Sequence, residues 1–398
     1  MMSDKIDTIS RDLNKETVLQ HVGRPSRGTW PAPVNIPAYR ASTITFADMA
    51  SYEDPQNRDK GLAYGRVGTP SSVALETAMS ELEGGYGSVS YPSGLAAITG
   101  ALQSHLSMGS HVLLPDSLYG SARTFCERQF PRQGIRFDYY PAGAGNAIGE
   151  YITANTRVVY VESPGSATFE IQDVPAIAQV AHAAGAIVIM DNTWATPLLF
   201  PALQHGVDIV VYSATKYLSG HSDAMLGLCV CKKNTFEKVR LTADDFGNAV
   251  GSEEVYLTLR GIRTLDLRLE RHGRNASQLS RYFESRSEVE RVLFPGSPGA
   301  LGHALWKRDF LGASGLFSIV LTSDFAHKAS RFIDSLTLFS IGGSWGGYES
   351  MVKPFLPLEQ RRFGDWNGKS IIRFHAGLEN AGDLILDIEK AFEVAAHG

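Results

Sequence analysis

The sequence predicts an α/β protein: a mostly parallel sheet covered by helices on both faces, followed by a smaller α/β unit at the C-terminus. Three observations carry this. Short, almost wholly apolar runs recur, such as VVYVE at 158–162, IVIM at 187–190 and DIVVY at 208–212. Helix-like stretches alternate with them, and strands that lack a polar face belong to a sheet buried on both sides. Past about residue 262 the strand and helix signals become shorter and a long charged helix intervenes.

The elements follow in order. Residues 1–65 have little periodicity, and Pro25, Pro31, Pro33 and Pro37 favour an extended arm that needs another surface to lie on, which implies an oligomer. The apolar run 111–114 reads as a strand, as does 158–162. Residues 174–184 read as a helix ended by Gly185. The next strand, 187–190, stops at Asp191, and 208–212 follows a short helix and loop. Cys229 and Cys231 sit two apart in an apolar run, where strand spacing puts two inert thiols on one buried face. Residues 263–281 read as a charged amphipathic helix. LFSIVL, LTLFSIG and SIIRFHAG give further strand and helix signals before a closing helix at 383–395. The chain is thereby divided into 1–65, 66–262 and 263–398.

Composition excludes several functions. The chain has 398 residues, 43% hydrophobic and 20% charged, which is enough for a sizeable core. Its net charge of −5 suits neither a nucleic acid nor a polybasic membrane partner. Three cysteines cannot make a disulfide framework or a four-ligand zinc site, and the eleven histidines lack metal-ligand spacing. The first twenty residues mix charges without an apolar block, and no run approaches the roughly eighteen apolar residues a membrane span requires. The expectation is a cytoplasmic protein.

In a parallel sheet the ligand lies at the carboxyl ends of the strands. Glu162-Ser163-Pro164-Gly165 ends one run, Asp191-Asn192-Thr193 the next, and Ser213-Ala214-Thr215-Lys216 the third. A lysine at the lip of a buried strand is costly, and desolvation there lowers its pKa and frees the amine as a nucleophile. A carboxylate one strand earlier can hold a protonated ring nitrogen, and Ser213 and Thr215 can turn hydroxyls to a phosphate. A Schiff-base lysine with an aspartate for a pyridinium nitrogen is what pyridoxal phosphate requires. The competing reading is a structural Asp191–Lys216 ion pair. Upstream, Ser93-Gly94-Leu95 opens an Ala-rich helix, which makes either an anion site or an ordinary Ser cap. Tyr119 follows the run 111–114, where it can lie on an aromatic cofactor or simply pack.

Together with Tyr64-Gly65-Arg66, Tyr217 and Ser344-Trp345-Gly346-Gly347-Tyr348-Glu349-Ser350, these motifs resemble the Cys/Met-metabolism pyridoxal-phosphate enzymes, from about residue 20 to the C-terminus. Within that family the sequence is most similar to the bacterial cystathionine β-lyases, through residues 214–225, Trp306-Lys307-Arg308-Asp309-Phe310 and the tryptophan at 345. The resemblance implies the aspartate aminotransferase-like, fold type I architecture, with a seven-stranded-type cofactor domain at 66–262 and a smaller domain at 263–398. It implies that Lys216 carries the Schiff base and acts in catalysis with Tyr119 and Tyr64. Asp191 would hold the pyridine nitrogen and Tyr119 stack on the ring. Gly94 and Leu95 would give amides, and Ser213 and Thr215 hydroxyls, to the phosphate. Tyr64 and Arg66 would reach the phosphate of a neighbouring subunit from the arm 1–65, in a tetramer built of active dimers. Arg373, with Ser344 and Trp345, would hold the substrate. The implied reaction is cleavage of L-cystathionine to homocysteine, pyruvate and ammonia in methionine biosynthesis by transsulfuration, extending to cystine and cysteine S-conjugates. A γ-lyase, γ-synthase or cysteine desulfhydrase of the same family is the alternative. The sequence departs from the family at Leu95, where methionine is common, and at Val67–Ser71, which lacks Asn-Pro-Thr.

Three look-alikes fail on context. Residues 364–370 are one residue short of a phosphate loop and lead into a strand-like run. Gly342-Gly343-Ser344-Trp345-Gly346 satisfies the G-x-S-x-G string of serine hydrolases, yet Gly346-Gly347 is a poor helix start, which leaves a hydrolase as the remote alternative. Gly143-Ala144-Gly145 with Gly149 has the wrong spacing for a dinucleotide fingerprint.

Overall fold

A computed structural model describes residues 13–25, 32–54 and 63–397. Seven strands form the larger sheet: β1 (Gly87–Tyr91), β2 (His111–Pro115), β3 (Arg136–Tyr140), β4 (Thr156–Glu162), β5 (Ile187–Asp191), β6 (Ile209–Ser213) and β7 (Gly227–Cys231). Their order is β1-β7-β6-β5-β4-β2-β3. Only β7 runs against its neighbours β1 and β6; the other pairs are parallel. Alternate residues feed two different cores. Val159, Val161, Val188 and Met190 enter one, and Val158, Tyr160, Ile189 and Val211 enter the other. With both faces covered, the strands need no polar side, and this explains their apolar sequences. Cys229 and Cys231 share one buried face with Cys126, all as free thiols.

The second sheet comprises β8 (Val289–Leu293), β9 (Leu316–Leu321), β10 (Ser340–Ile341), β11 (Met351–Phe355) and β12 (Ile371–His375), in the order β10-β11-β12-β9-β8. Phe317, Ile319, Val352, Ile372 and Phe374 pack with the closing helix Ala381–Ala396, while Leu316, Val320 and Ile371 on the opposite face join the first core. The helix Leu265–Glu284 bridges the two. Its 20 residues extend about 30 Å at ~1.5 Å rise per residue. Leu265 and Leu269 sit in the first core, and Ala276, Leu279 and Phe283 pack with Phe317 and Phe374. Residues 371, 373 and 375 therefore face the larger sheet.

The structure corrects three expectations. Lys15–His21 is a short helix, and Val18, Leu19 and Val22 are buried in the chain's own first core, so this part of the segment is not an arm. Three apolar positions in two turns are too few to show a period in the sequence. Pro31 and the stretches 1–12, 26–31 and 55–62 lie outside the described residues. The helix expected at 263–281 is Leu265–Glu284, and only Ser340–Ile341 of LTLFSIG is strand. Among the described residues no helix is long and apolar enough to cross a membrane.

Candidate active site

Strand register lines up one half of the site. β4 sets Glu162 opposite Asp191 on β5. β7 sets Gly227 opposite both Tyr91 on β1 and Ser213 on β6. Just past Tyr91, Ser93 caps the helix Gly94–Gln103, its Oγ accepting from Ala96 N at 3.1 Å. The Gly94 and Leu95 amides stand in that first turn, where a helix leaves N–H groups without internal partners. A Cβ on Gly94 would fall 2.6 Å from Ser213 Oγ, and one on Gly227 would fall 2.2 Å from the Ser93 carbonyl oxygen. Glycine at both places lets the helix start close against the end of β6, so the two amides and the Ser213 hydroxyl share one corner. The Thr215 hydroxyl is already engaged: it accepts from Leu226 N at 3.0 Å and donates to Leu226 O at 3.3 Å, pinning the turn that carries Lys216.

Asp191 Oδ1 accepts from Thr193 N at 2.9 Å. Burial pushes this carboxyl up, against the pull of Thr193 and of the Lys216 charge. Glu162 is pushed well above the carboxylate range, first by burial and then by Asp191. Its Oε2 accepts from Tyr119 N at 2.7 Å and so fixes the backbone under the exposed Tyr119 ring. Among the described residues no ion pair joins Asp191 to Lys216, so the structural-pair reading is not what the fold builds. A buried carboxyl without a cation suits a protonated ring nitrogen.

The other half joins Lys216, in the turn after β6, to residues of the smaller sheet. Lys216 Nζ donates to Ser344 Oγ at 2.6 Å and lies 5.4 Å from the Trp345 ring centroid. Burial, then the charges of Arg373 and Lys353, bring its pKa down to about 8. Arg373 is buried, donates from Nη2 to Ser344 O at 3.2 Å, and is brought by burial to about 10. Gly346, at φ +91°, lets this turn rest on the backbone of Lys216, where a Cβ would come within 2.9 Å. His375, two residues beyond Arg373 on the same face, accepts from Gly346 N at 3.2 Å through Nε2 and donates from Nδ1 to Glu349 O at 3.1 Å. That pattern demands the neutral ring, and burial holds its pKa well below the usual value. No helix follows Gly346, so the G-x-S-x-G string is not a nucleophile elbow.

The structure thus gathers Gly94, Leu95, Asp191, Ser213, Thr215, Lys216, Ser344, Trp345 and Arg373 about one place, with Tyr119 at its rim. Tyr64 and Arg66 stand elsewhere in this chain. Tyr64 bridges to Thr43, and Arg66 Nη1 donates to Asp244 O at 3.0 Å, in a cleft with Tyr39, Arg40, Ser90 and Arg240. Sequence reasoning missed one further connection. Asp116, three residues before Tyr119, accepts at Oδ1 from Arg123 Nη2 at 2.7 Å. Its Oδ2 accepts from Arg361 Nε at 3.2 Å and from the amides of Arg362 and Phe363 at 2.7 and 3.0 Å. Arg361 also pairs with Glu170, so the loop between β11 and β12 is latched to the loop that presents Tyr119.

An amine of lowered pKa, an uncompensated buried carboxyl and an amide-lined corner suit a planar cofactor bearing a carbonyl, a ring nitrogen and a phosphate. Comparison with known proteins agrees. The family model described as Cys/Met metabolism PLP-dependent enzyme matches residues 16–393. A putative cystathionine beta-lyase of Rhizobium johnstonii is 40% identical over 99% of this chain and 100% of its own length. Cystathionine beta-lyase MetC of Escherichia coli is 38% identical over 96% and 98%. An L-alanine/L-glutamate racemase of Wolbachia pipientis also matches, at 36% identity over 95% and 97%. The crystal structure of metB from Corynebacterium glutamicum superposes with a TM-score of 0.88 at 28% identity, covering 96% of this chain and 98% of that one. The chain belongs to the Cys/Met-metabolism family of pyridoxal-phosphate-dependent enzymes.

Proposed function

We propose that this enzyme is a carbon–sulfur β-lyase that cleaves L-cystathionine, with one water, to homocysteine, pyruvate and ammonia, and that also accepts cystine and other cysteine S-conjugates. The observation that carries the reading is Lys216, whose amine, lowered to about 8, is held at Ser344 beside Arg373. Lys216 would hold the cofactor covalently, Asp191 its ring nitrogen, and Gly94, Leu95, Ser213 and Thr215 its phosphate, with Tyr119 against the ring. Thr215 would give up its long bond to Leu226 to do so. Bound pyridoxal phosphate supplies an electron sink at the substrate nitrogen.

The protein's own groups do the rest. Arg373 clamps the α-carboxylate and orients the Cα–H bond. Lys216 Nζ would remove the Cα proton; an amine titrating near 8 is well matched to that work at neutral pH. The pair left at Cα then expels the thiolate from Cβ, and Trp345 keeps bulk water from the departing sulfur. Ser344, bonded to Lys216 and tied through its carbonyl to Arg373, keeps base and clamp in step.

The arm would be the part of 1–65 that follows residue 32, since Tyr39, Met49, Tyr52 and Tyr64 are exposed there. It would carry Tyr64 and Arg66 to the neighbouring subunit's site, in a tetramer of active dimers. Residues 66–262 then form the cofactor domain and 263–398 the C-terminal domain, of a cytoplasmic enzyme of methionine biosynthesis. Product analysis of the holoenzyme on L-cystathionine tests the reaction. Pyruvate and homocysteine are expected in equal amounts. 2-Oxobutyrate with cysteine would make it a γ-lyase, and intact cystathionine with racemised alanine or glutamate would make it a racemase.

A further inference from the structure

β11 and β12 pair so that Lys353 stands directly opposite Arg373. Alternation sends both to the face turned toward Lys216, away from the face that buries Val352, Ile372 and Phe374. Like charges directly opposite across an antiparallel pair repel. Nothing offsets this repulsion: among the described residues no carboxylate lies within ion-pair distance of Lys353 and no acceptor holds its Nζ, which rests 5.0 Å from the Phe355 ring centroid. The half-buried ammonium is held below its usual pKa first by burial and then by Arg373, and its charge is felt at Lys216. Lys216, Arg373 and Lys353 are therefore three neighbouring cations, of which Lys216 alone feels the charge of Asp191.

Partly buried cations left without a counter-charge are costly unless an anion completes them. The α-carboxylate answers Arg373. The amino group that accompanies it cancels its charge, so a substrate with one carboxylate leaves Lys353 unanswered. We propose that Lys353 is a specificity-determining residue that receives a second carboxylate at the far end of the sulfur substituent, so that the preferred substrates are cysteine thioethers ending in an acid. The inference rests on the β-lyase reading and adds the substrate class to it.

Pyruvate release is compared for S-(3-carboxypropyl)-L-cysteine and its neutral counterpart S-butyl-L-cysteine. The wild type should favour the acid by about tenfold or more in kcat/KM, the scale of one charge-assisted hydrogen bond. Lys353→Met should bring the ratio of the two substrates close to one, and Lys353→Arg should keep it above one. A ratio that survives Lys353→Met, or that is already one in the wild type, overturns the proposal. Calorimetric binding of glutarate against butyrate to the holoenzyme reads the same subsite without turnover. Tighter glutarate binding, lost in Lys353→Met, is expected even if no pyruvate forms, and equal binding of the two acids by the wild type overturns it. A failure of the lyase chemistry is thereby separated from a failure of the subsite.

Discussion

On the side of the larger sheet the site buries carboxyls: Glu162 and Asp191 face each other across β4 and β5, and burial raises both. On the side of the smaller sheet it buries cations, and burial lowers Lys216, Arg373 and Lys353 alike. Desolvation drives each group toward its neutral form, which is opposite in direction for acids and bases. Asp191 and Lys216 could have relieved one another by pairing, yet each is turned to a hydrogen bond of its own, to Thr193 and to Ser344. On the proposed reading the two halves suit different guests, a positive ring on the acidic side and carboxylates on the basic side. The contrast teaches that the charge separation itself is what the fold builds.

The sharpest break of this comparison is at Lys216, the group that serves both halves. Lys216→Ala should lower kcat by about 10⁴-fold or more, since on the proposed mechanism it removes both the covalent anchor and the base. Borohydride treatment of the wild type should fix the cofactor on the Lys216 peptide, and on no peptide of the variant. Mixing Lys216→Ala with Arg66→Ala subunits then tests whether the site is shared. After exchange, half of the dimers are mixed and each has one intact site, so roughly a quarter of wild-type activity should return. Confirmed exchange of two inactive variants with no return of activity would show that the site is not shared between subunits.

Asp191→Asn comes next. It keeps an oxygen for the Thr193 amide and removes the charge proposed to hold the ring nitrogen. A fall in kcat of about 10²–10³-fold is expected, comparable to losing one preorganised electrostatic partner. A loss below tenfold would mean that the acidic half does not depend on Asp191 charge.

The acidic half was largely legible in the sequence and the basic half was not, for a physical reason. Asp191, Ser213 and Lys216 follow apolar runs, and parallel strands finish at one edge, so each run points to the site. Lys353 sits in MVKPF, where a lysine and Pro354 disguise a strand that the fold pairs antiparallel with β12. β1, GSVSY, is equally masked: Ser88 and Ser90 are satisfied by Glu76, so the strand tolerates polar residues. Arg373 and Ser344 were found by resemblance, because no spacing links them to residues more than a hundred positions away. His375 carried a local signal, alternation with Arg373 along IIRFH, that could have been read. The Asp116–Arg361 latch has none, since 245 positions separate its partners.

That latch ties the two halves mechanically, and breaking it should cost stability before chemistry. Burial raises the Asp116 carboxyl, but Arg123, the amides of Phe363 and Arg362, and Arg361 outweigh it and leave the pKa lowered. A carboxyl lowered in the folded state contributes stability above its unfolded pKa of about 3.9 and loses it as pH falls through the folded value. Arg361→Ala should destabilise by about 3–5 kcal/mol at pH 7, as expected when one partner of a buried ionic cluster is removed. Urea unfolding at pH 7 and at pH 3 reads the effect, and the gap between variant and wild type should narrow at the lower pH. A gap that stays constant with pH would show that Asp116 is not what Arg361 holds.

The smallest effect asks whether the acidic half holds one negative charge or two. Burial and the neighbouring Asp191 both favour the protonated form of Glu162. Its contribution to stability is then complete below the unfolded value of about 4.3 and is lost as pH rises through the folded one. Glu162→Gln preserves a neutral group whose oxygen can still accept from Tyr119 N, so kcat/KM should change by less than about threefold. The substitution should also remove any alkaline loss of stability that belongs to Glu162. Glu162→Leu leaves the Tyr119 amide without its acceptor, a loss of about 1–3 kcal/mol in unfolding free energy, and loosens the loop that places the ring. If Glu162→Gln instead costs as much as Glu162→Leu, the proton is not on Glu162. The acidic half then carries two charges, facing the three cations across the site.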